Sequence, residues 1–282
     1  MVSAFSDLDR PPLNERSLQH ALMVPGGFVS ALRVLPSIES TNTAMAGAAQ
    51  DDAPHASVLV AEEQTAGKGR LGRTWSAPAR SGLFTSILVR PESPAPTWTW
   101  LPLLAGVAVR DAVSRACELE VGLKWPNDIV VGAGELADRK LGGILCETVP
   151  GQQAVVVGIG LNVTLREDEL PVPQACSLAL AGAASTDRDT LLRVLLRSFG
   201  TWYDRWSQAG GDAVAAGLAE AYAGACASIG REVRAELPGD RTVTGRATGV
   251  DLTGALLVTT PDQGEVAVGA GDVVHLRTAS DN

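Results

Sequence analysis

The stretch EEQTAGKGRLGRTW, Glu62 to Trp75, restricts what this chain can fold into more than any other. Gly67, Gly69 and Gly72 fit G-x-G-x-x-G, the spacing of a dinucleotide-binding turn in a doubly wound parallel sheet. The surroundings argue against that fold. A Rossmann turn needs its glycines directly after a strand and at a helix start, with an acid about 20 residues further on. Here SVLVAEEQ (57–64) reads as a buried strand, and Glu62 to Ala66 separate its apolar part from Gly67. Arg-Thr-Trp-Ser-Ala-Pro after Gly72 is a poor helix start, and Pro91-Glu92 falls in a proline-rich loop. A Walker loop fails too, because Lys68 precedes Gly69 rather than Ser or Thr, and Glu62 stands where its first glycine belongs. What remains is a glycine loop with bare N–H donors and three cations, Lys68, Arg70 and Arg73. Such a loop is either a solvated basic surface or a clamp that becomes ordered around a phosphate or carboxylate.

Charge favours a small anion over a polyanion. The net charge is −9, whereas a protein that coats nucleic acid is normally basic. An apolar fraction of 45% over 282 residues supports one sizeable domain plus a small one. Cys117, Cys146, Cys176 and Cys226 are far apart and form no C-x-x-C pair, so buried thiols in a reducing compartment are expected. His20, His55 and His275 are too scattered to suggest a metal site. No secretion signal is visible at the start, and the apolar run at 101–109 meets Arg110 and Asp111 too soon to span a bilayer. A cytoplasmic protein without membrane contact is expected.

Periodicity outlines the organisation. Residues 1–27 are polar, carry Pro11-Pro12, and read as a tail with at most one short helix. Strands are predicted at FVSALRVLP (28–36) and LFTSILVR (83–90), with an alanine-rich helix capped by Ser40 or Thr41 between 40 and 50. PESPAPT (91–97) is a proline-broken connection, and a helix is predicted from Trp98 to Leu119. VGLKW and DIVV read as short strands, while KLGGILCETV and AVVVGIGLNV read as a neighbouring pair joined at PGQQ. Residues 188–228 read as two helices. Beyond Gly230, short strands with turns at Pro238–Asp240, Asp251–Gly254 and Pro261–Gly264 have the spacing of a small β-barrel, which puts a domain boundary near 230.

Three further stretches carry chemistry. KWPND (Lys124–Asp128) sets a cation near an amide and an acid, with Pro126 biasing Trp125 to extended backbone; an ordinary strand–turn junction reads the same way. RKLGGIL starts a strand with Lys140, either a snorkelling edge charge or an anion contact, and glycines make room beside it. GIGLN ends a buried strand with Asn162, a cap or a contact to a base or phosphate.

Taken together, STN (40–42), EEQTAGKGRLGRTW, KWPND, RKLGGIL and GIGLNV resemble the biotin protein ligases, over a core of about 28–230 and the C-terminal part as well. The pairing of the glycine loop with KWPND is specific, and Lys68 replaces the usual arginine without losing charge. The resemblance implies an α+β fold: a tail (1–27), a class II synthetase-like catalytic core (28–230) with a mixed sheet flanked by helices, and an SH3-like β-barrel (231–282). It implies that biotin and MgATP give biotinyl-5′-AMP, which then acylates one lysine of a biotin carboxyl carrier domain of acyl-CoA carboxylases. A lipoate or octanoate ligase or transferase shares that core and is the alternative. Only about 27 residues precede the first strand, too few for the winged helix of the repressor type, so no nucleic-acid partner is expected.

By the same resemblance, Arg70 and Lys140 neutralise the α-phosphate and the attacking carboxylate. Lys68, Gly69 and the loop backbone close over the adenylate. Ser40, Thr41, Asn42 and Gln64 hold the ureido ring of biotin, and Trp75 adds an apolar wall. Asn127 and Asn162 are candidate nucleotide contacts, and Arg277 a candidate phosphate contact or a solvated terminal arginine. Asp128 is either the base for the incoming lysine or a Mg²⁺ or polar contact.

Overall fold

The computed structural model describes residues 10–237, 241–269 and 272–275. A seven-stranded sheet organises the larger part, in the order β1-β2-β5-β9-β8-β7-β6. Its strands are β1 (Ala31–Leu35), β2 (Ser57–Ala61), β5 (Gly82–Val89), β6 (Val121–Lys124), β7 (Asp128–Val131), β8 (Lys140–Thr148) and β9 (Val155–Asn162). β1 and β2 run parallel and every other neighbouring pair runs antiparallel, so the sheet is mixed, as expected. The sheet is not a doubly wound one, in line with the placement of the glycines.

Both faces of the central strands are covered, which explains their almost unbroken apolar sequences. Ile87, Val155, Val157, Ile159 and Leu161 join the main core beneath helices α1 (Glu15–Leu22), α3 (Leu101–Cys117), α4 (Arg188–Gln208) and α5 (Leu218–Ala225). Helix α2 (Thr41–Gln50) covers part of the opposite face, where Met45 and Ala49 meet Leu88 and Val156. Ser40 caps α2, its Oγ accepting from the Thr43 N–H.

Residues 10–27 are not a loose tail. Leu18 and Leu22 of α1 are buried in the main core. Arg188 donates to Glu62 Oε2 at 2.7 Å, to the Gly82 carbonyl at 3.1 Å and to the Pro11 carbonyl at 2.6 Å, while Glu62 Oε1 accepts from the Leu13 N–H at 2.6 Å. One buried ion pair thus ties the N-terminal segment to the strand that feeds the glycine loop. Arg10 makes a further ion pair with Glu169.

The C-terminal part is a five-stranded antiparallel sheet, β13-β12-β11-β10-β14, from β10 (Glu232–Leu237), β11 (Arg241–Val250), β12 (Leu256–Thr260), β13 (Gly264–Val268) and β14 (Asp272–His275). Two indoles dock it on the larger part. Trp100 Nε1 donates to the Leu252 carbonyl at 2.8 Å, and Trp125 Nε1 to the Gly254 carbonyl at 3.0 Å. The Trp125–Pro126 peptide is cis.

Candidate active site

The period-two alternation of a strand builds the site's floor. On β9 the residues that alternate with the core set are Val156, Gly158 and Gly160, so the face opposite the main core is bare backbone at two successive positions. Register carries the row across the sheet: Gly158 pairs with Ser86 and Leu145, Gly160 with Phe84 and Gly143, and Gly143 with Asp128. The missing side chains leave a trough, and neighbours fill its edges. A Cβ on Gly158 would lie 2.2 Å from Asn42 Oδ1, and one on Gly160 would lie 2.9 Å from Trp75 Cε2.

A cleft of about 340 Å³ stands over this floor. The start of α2 and Gln64 line one end, the glycine loop closes over it, and Lys124–Asp128 with Lys140 line the other; Glu236 and Val273 of the C-terminal sheet reach its rim. The loop is a small hairpin. β3 (Gly67–Lys68) pairs antiparallel with β4 (Thr74–Trp75), and the Gly69 N–H donates to the Arg73 carbonyl at 2.7 Å. Leu71 at its tip has φ 55° and is exposed. Arg70 Nη1 donates to Asn127 Oδ1 at 3.3 Å, so the loop bridges the cleft to the KWPND stretch.

Of the residues anticipated from sequence, Ser40, Thr41, Asn42, Gln64, Lys68, Gly69, Arg70, Trp75, Asn127, Asp128 and Lys140 all line this one cleft. Lys140 Nζ lies 2.6 Å from Asp128 Oδ1 and over the Trp75 ring, 5.9 Å from its centroid. Trp75 Nε1 is buried with no hydrogen-bond partner among the described residues. Gln64 Oε1 faces both the N–H and the hydroxyl of Thr41, at 2.8 and 3.0 Å. Asn42 directs its amide nitrogen to the Leu145 carbonyl and to Glu147 Oε2, so its NH₂ is taken by the protein. Asn127 Nδ2 likewise donates to the Ile144 carbonyl at 2.9 Å and fixes β7 against β8.

Asn162 does not line the cleft. Its amide is buried and donates to the Cys176 carbonyl at 2.9 Å, tying the end of β9 to the segment beside Lys140. Of the two roles expected of Asn162, a cap or a contact to a base or phosphate, this bond is of the first, structural kind. Arg277 lies outside the described residues. Lys124, the cation of KWPND, and Gly143, expected to make room beside Lys140, line the cleft too; so do Ile144, Leu145, Gly158 and Gly160, to which sequence reading gave no role there. The alternation of glycine in Gly158-Ile159-Gly160 was the signal for the floor.

Residues 34–163 match the model of the "Biotin/lipoate A/B protein ligase family", and residues 228–276 match that of the "Biotin protein ligase C terminal domain". The chain is 41% identical over 273 residues to the biotin--[acetyl-CoA-carboxylase] ligase of Mycobacterium tuberculosis, covering 95% of this chain and 97% of that protein. It is 31% identical to the bifunctional ligase/repressor BirA of Escherichia coli, over 90% of this chain and 75% of that one. Among solved structures, the biotin protein ligase of Aquifex aeolicus in complex with biotin and ATP superposes with a TM-score of 0.72 at 26% identity, over 88% of this chain and 99% of that chain. The chain belongs to the biotin protein ligase family.

Proposed function

We propose that this chain is an ATP-dependent ligase that converts biotin to biotinyl-5′-AMP with release of pyrophosphate, then transfers biotin to a lysine of the carrier domain of acetyl-CoA carboxylase or a related acyl-CoA carboxylase. One observation carries the reading: a single cleft gathers Arg70, Lys68 and Lys140 around a bare glycine floor, with Thr41 and Gln64 at its far end. Cations at one end suit a phosphate and a carboxylate; oxygens and amides at the other suit a ureido ring. The match of residues 228–276 to the biotin ligase C-terminal domain favours biotin over lipoate.

The first step needs no base, because the biotin carboxylate is ionised at neutral pH. Its difficulty is to bring one anion against another, and fixed cations stabilise the charge that develops on the phosphate. Lys140 and Arg70 take that task. Asp128 balances the Lys140 charge at 2.6 Å before the phosphate arrives, and holds the ammonium at the floor beside Trp75 and Gly143. The hairpin excludes water from the mixed anhydride. Magnesium fits as a companion of ATP: no group of three or more His, Cys, Asp or Glu gathers among the described residues, and Mg²⁺ is held largely by substrate phosphates with one or two carboxylates. Asp128 is the carboxylate on the cleft floor that would meet it, and the ion would add charge neutralisation at the phosphates.

The second step starts from an ammonium. A lysine with a pKa of about 10.4 is neutral in roughly one molecule in a few thousand at pH 7. Once the phosphate draws Lys140 towards itself, the Asp128 carboxylate is released to accept the proton of the incoming amine. Asp128 thereby serves as a counter-charge first and a base second.

Incubation with biotin, MgATP and an acceptor domain tests the function by mass. A gain of one biotinyl group on one lysine, with release of pyrophosphate, is the expected result. Faster turnover with lipoate than with biotin would refute it.

A further inference from the structure

The lining of the cleft is lopsided in charge. Among the described residues, Lys68, Arg70 and Arg73 line it from the hairpin and Lys124 and Lys140 from the sheet, against two carboxylates, Asp128 and Glu236. The cations suit an adenylate. The second substrate is itself a cation, because a carrier lysine arrives as an ammonium. Like charge opposes its approach over the hairpin, so the carboxylates decide from which side it comes in.

Asp128 stands on the floor, 2.6 Å from Lys140 Nζ, and acts only on an amine already inside. Glu236 stands at the rim. It lies on β10, where strand alternation buries Val233 and Ala235 and turns Arg234 and Glu236 outwards. Glu236 Oε1 accepts from Arg234 Nη2 at 2.9 Å, and both side chains are about half exposed. An exposed pair of this kind contributes little stability, so one cation replaces another in it at small cost. Beside Glu236 the rim is formed by Val273, the register partner of Ala235 and an apolar support for the methylene stem of a lysine. The outer flank of the hairpin offers nothing equivalent. A second hollow there is lined by Lys68, Arg70 and Arg73 with Leu145 and Glu147, and the Glu147 carboxylate already accepts from Asn42.

We propose that Glu236 receives the acceptor: the ammonium of the carrier lysine takes the place of Arg234 at the Glu236 carboxylate and then passes Val273 towards Asp128, over the C-terminal sheet and not over the hairpin. The inference rests on the biotin reading above and extends it to the second substrate. The two carboxylates divide the work by position. Glu236 holds the lysine as a cation at the rim, and Asp128 meets it at the floor. This route leaves the hairpin closed on the adenylate while the amine enters. Arg234 competes with the lysine for the same carboxylate and so tempers its attraction.

The test uses the full chain, with the adenylate formed in place from biotin and MgATP and then offered two nucleophiles. One is the carrier domain. The other is hydroxylamine, a small amine mostly uncharged at neutral pH, which takes the biotinyl group as its hydroxamate and releases AMP. Both break the same carbonyl–phosphate bond, and only the lysine needs guiding as a cation. Glu236→Gln should raise KM for the carrier domain about tenfold at low salt, with a smaller change in kcat, and leave hydroxylamine trapping within about twofold. Added salt should narrow the difference in KM. Arg234→Gln, which removes the competing charge, should lower that KM about two- to threefold. The opposite signs separate this role from a structural one, because both substitutions break the same ion pair. An unchanged KM in Glu236→Gln, a shift in the same direction for both variants, or an equal loss with hydroxylamine would overturn the proposal. A wild type that forms no adenylate from biotin would instead overturn the biotin reading, and this inference with it.

Discussion

Lys140 Nζ and Asp128 Oδ1 stand 2.6 Å apart on neighbouring strands, with the lysine also over the Trp75 ring. Each holds the other at the cleft floor, yet the two steps of the proposed reaction use them differently. Lys140→Met should slow formation of the adenylate by about 10²–10³, as loss of a preorganised charge does. Asp128→Asn should slow transfer from preformed adenylate by about 10²–10⁴, the usual worth of a general base, and slow adenylate formation less than tenfold. Pyrophosphate release and single-turnover transfer, measured separately, check the split. Equal effects of Asp128→Asn on both steps would make it only a tether for Lys140.

The hairpin crosses the cleft through Arg70, whose guanidinium meets Asn127 Oδ1 at 3.3 Å. Arg70→Gly removes a phosphate partner and that crossing together, while Thr41 and Gln64 at the far end are untouched. Release of the adenylate should accelerate at least about tenfold, and bystander lysines in a protein mixture should become labelled. Adenylate half-life after gel filtration is the direct measurement.

Local signals made the strands and the cleft-lining motifs legible. Val155–Asn162 and Gly82–Val89 read as strands because both faces are covered, and the motifs at 40–42, 64–75 and 124–128 reached one cleft because each lies at the end of a strand of the same sheet or in the segment that follows it. The remaining features depend on partners distant in sequence. Residues 10–27 looked like a polar tail because the groups that bury them, Glu62 and Arg188, belong to other elements. Asn162 read equally as a cap or as a ligand contact, because an amide ending an apolar strand is conspicuous while its partner, the Cys176 carbonyl, carries no sequence signal. Ser86 was passed over as one hydroxyl in an apolar run, because its two partners, Thr41 and Asn42, come from elsewhere in the chain.

Gly160→Ala should disturb the cleft without unfolding the sheet. The added carbon would lie 2.9 Å from Trp75 Cε2, so the indole and the hairpin strand that carries it must shift. Overpacking of this kind costs about 1–3 kcal/mol. Biotin affinity should fall by a larger factor than the melting temperature suggests, because the displaced ring occupies the cleft. Titration calorimetry beside a thermal melt distinguishes this from a simple loss of stability.

The Arg188–Glu62 pair predicts a stability effect away from the cleft. Both side chains are buried, and removing one partner leaves an uncompensated charge. Arg188→Met should cost about 3–5 kcal/mol in a urea titration. Glu62→Gln should cost less, since its amide keeps an oxygen for the Leu13 N–H. A loss below 1 kcal/mol for Arg188→Met would mean that the N-terminal segment is held by α1 packing alone.

His275 links the C-terminal sheet to the KWPND stretch and gives the protein an acid-sensitive joint. Its Nε2 lies 2.9 Å from Ser228 Oγ, which accepts from the Trp125 N–H at 3.2 Å, and its Nδ1 lies 3.3 Å from Arg231 Nη1. Burial first, then the charges of Lys124 and Arg231, lower its pKa from 6.5 to about 4, against an opposing pull from Asp138. Because the folded pKa is depressed, the unfolded chain takes up the proton first as pH falls. The stability present above pH 6.5 is therefore lost progressively towards pH 4. His275→Gln removes the titrating group while keeping an amide for Ser228, so its stability should vary less between pH 6.5 and 4.5 than that of wild type. Urea titrations at several pH values across that window measure the difference. Parallel curves for the two proteins would show that carboxylates elsewhere, rather than this joint, govern the response to acid.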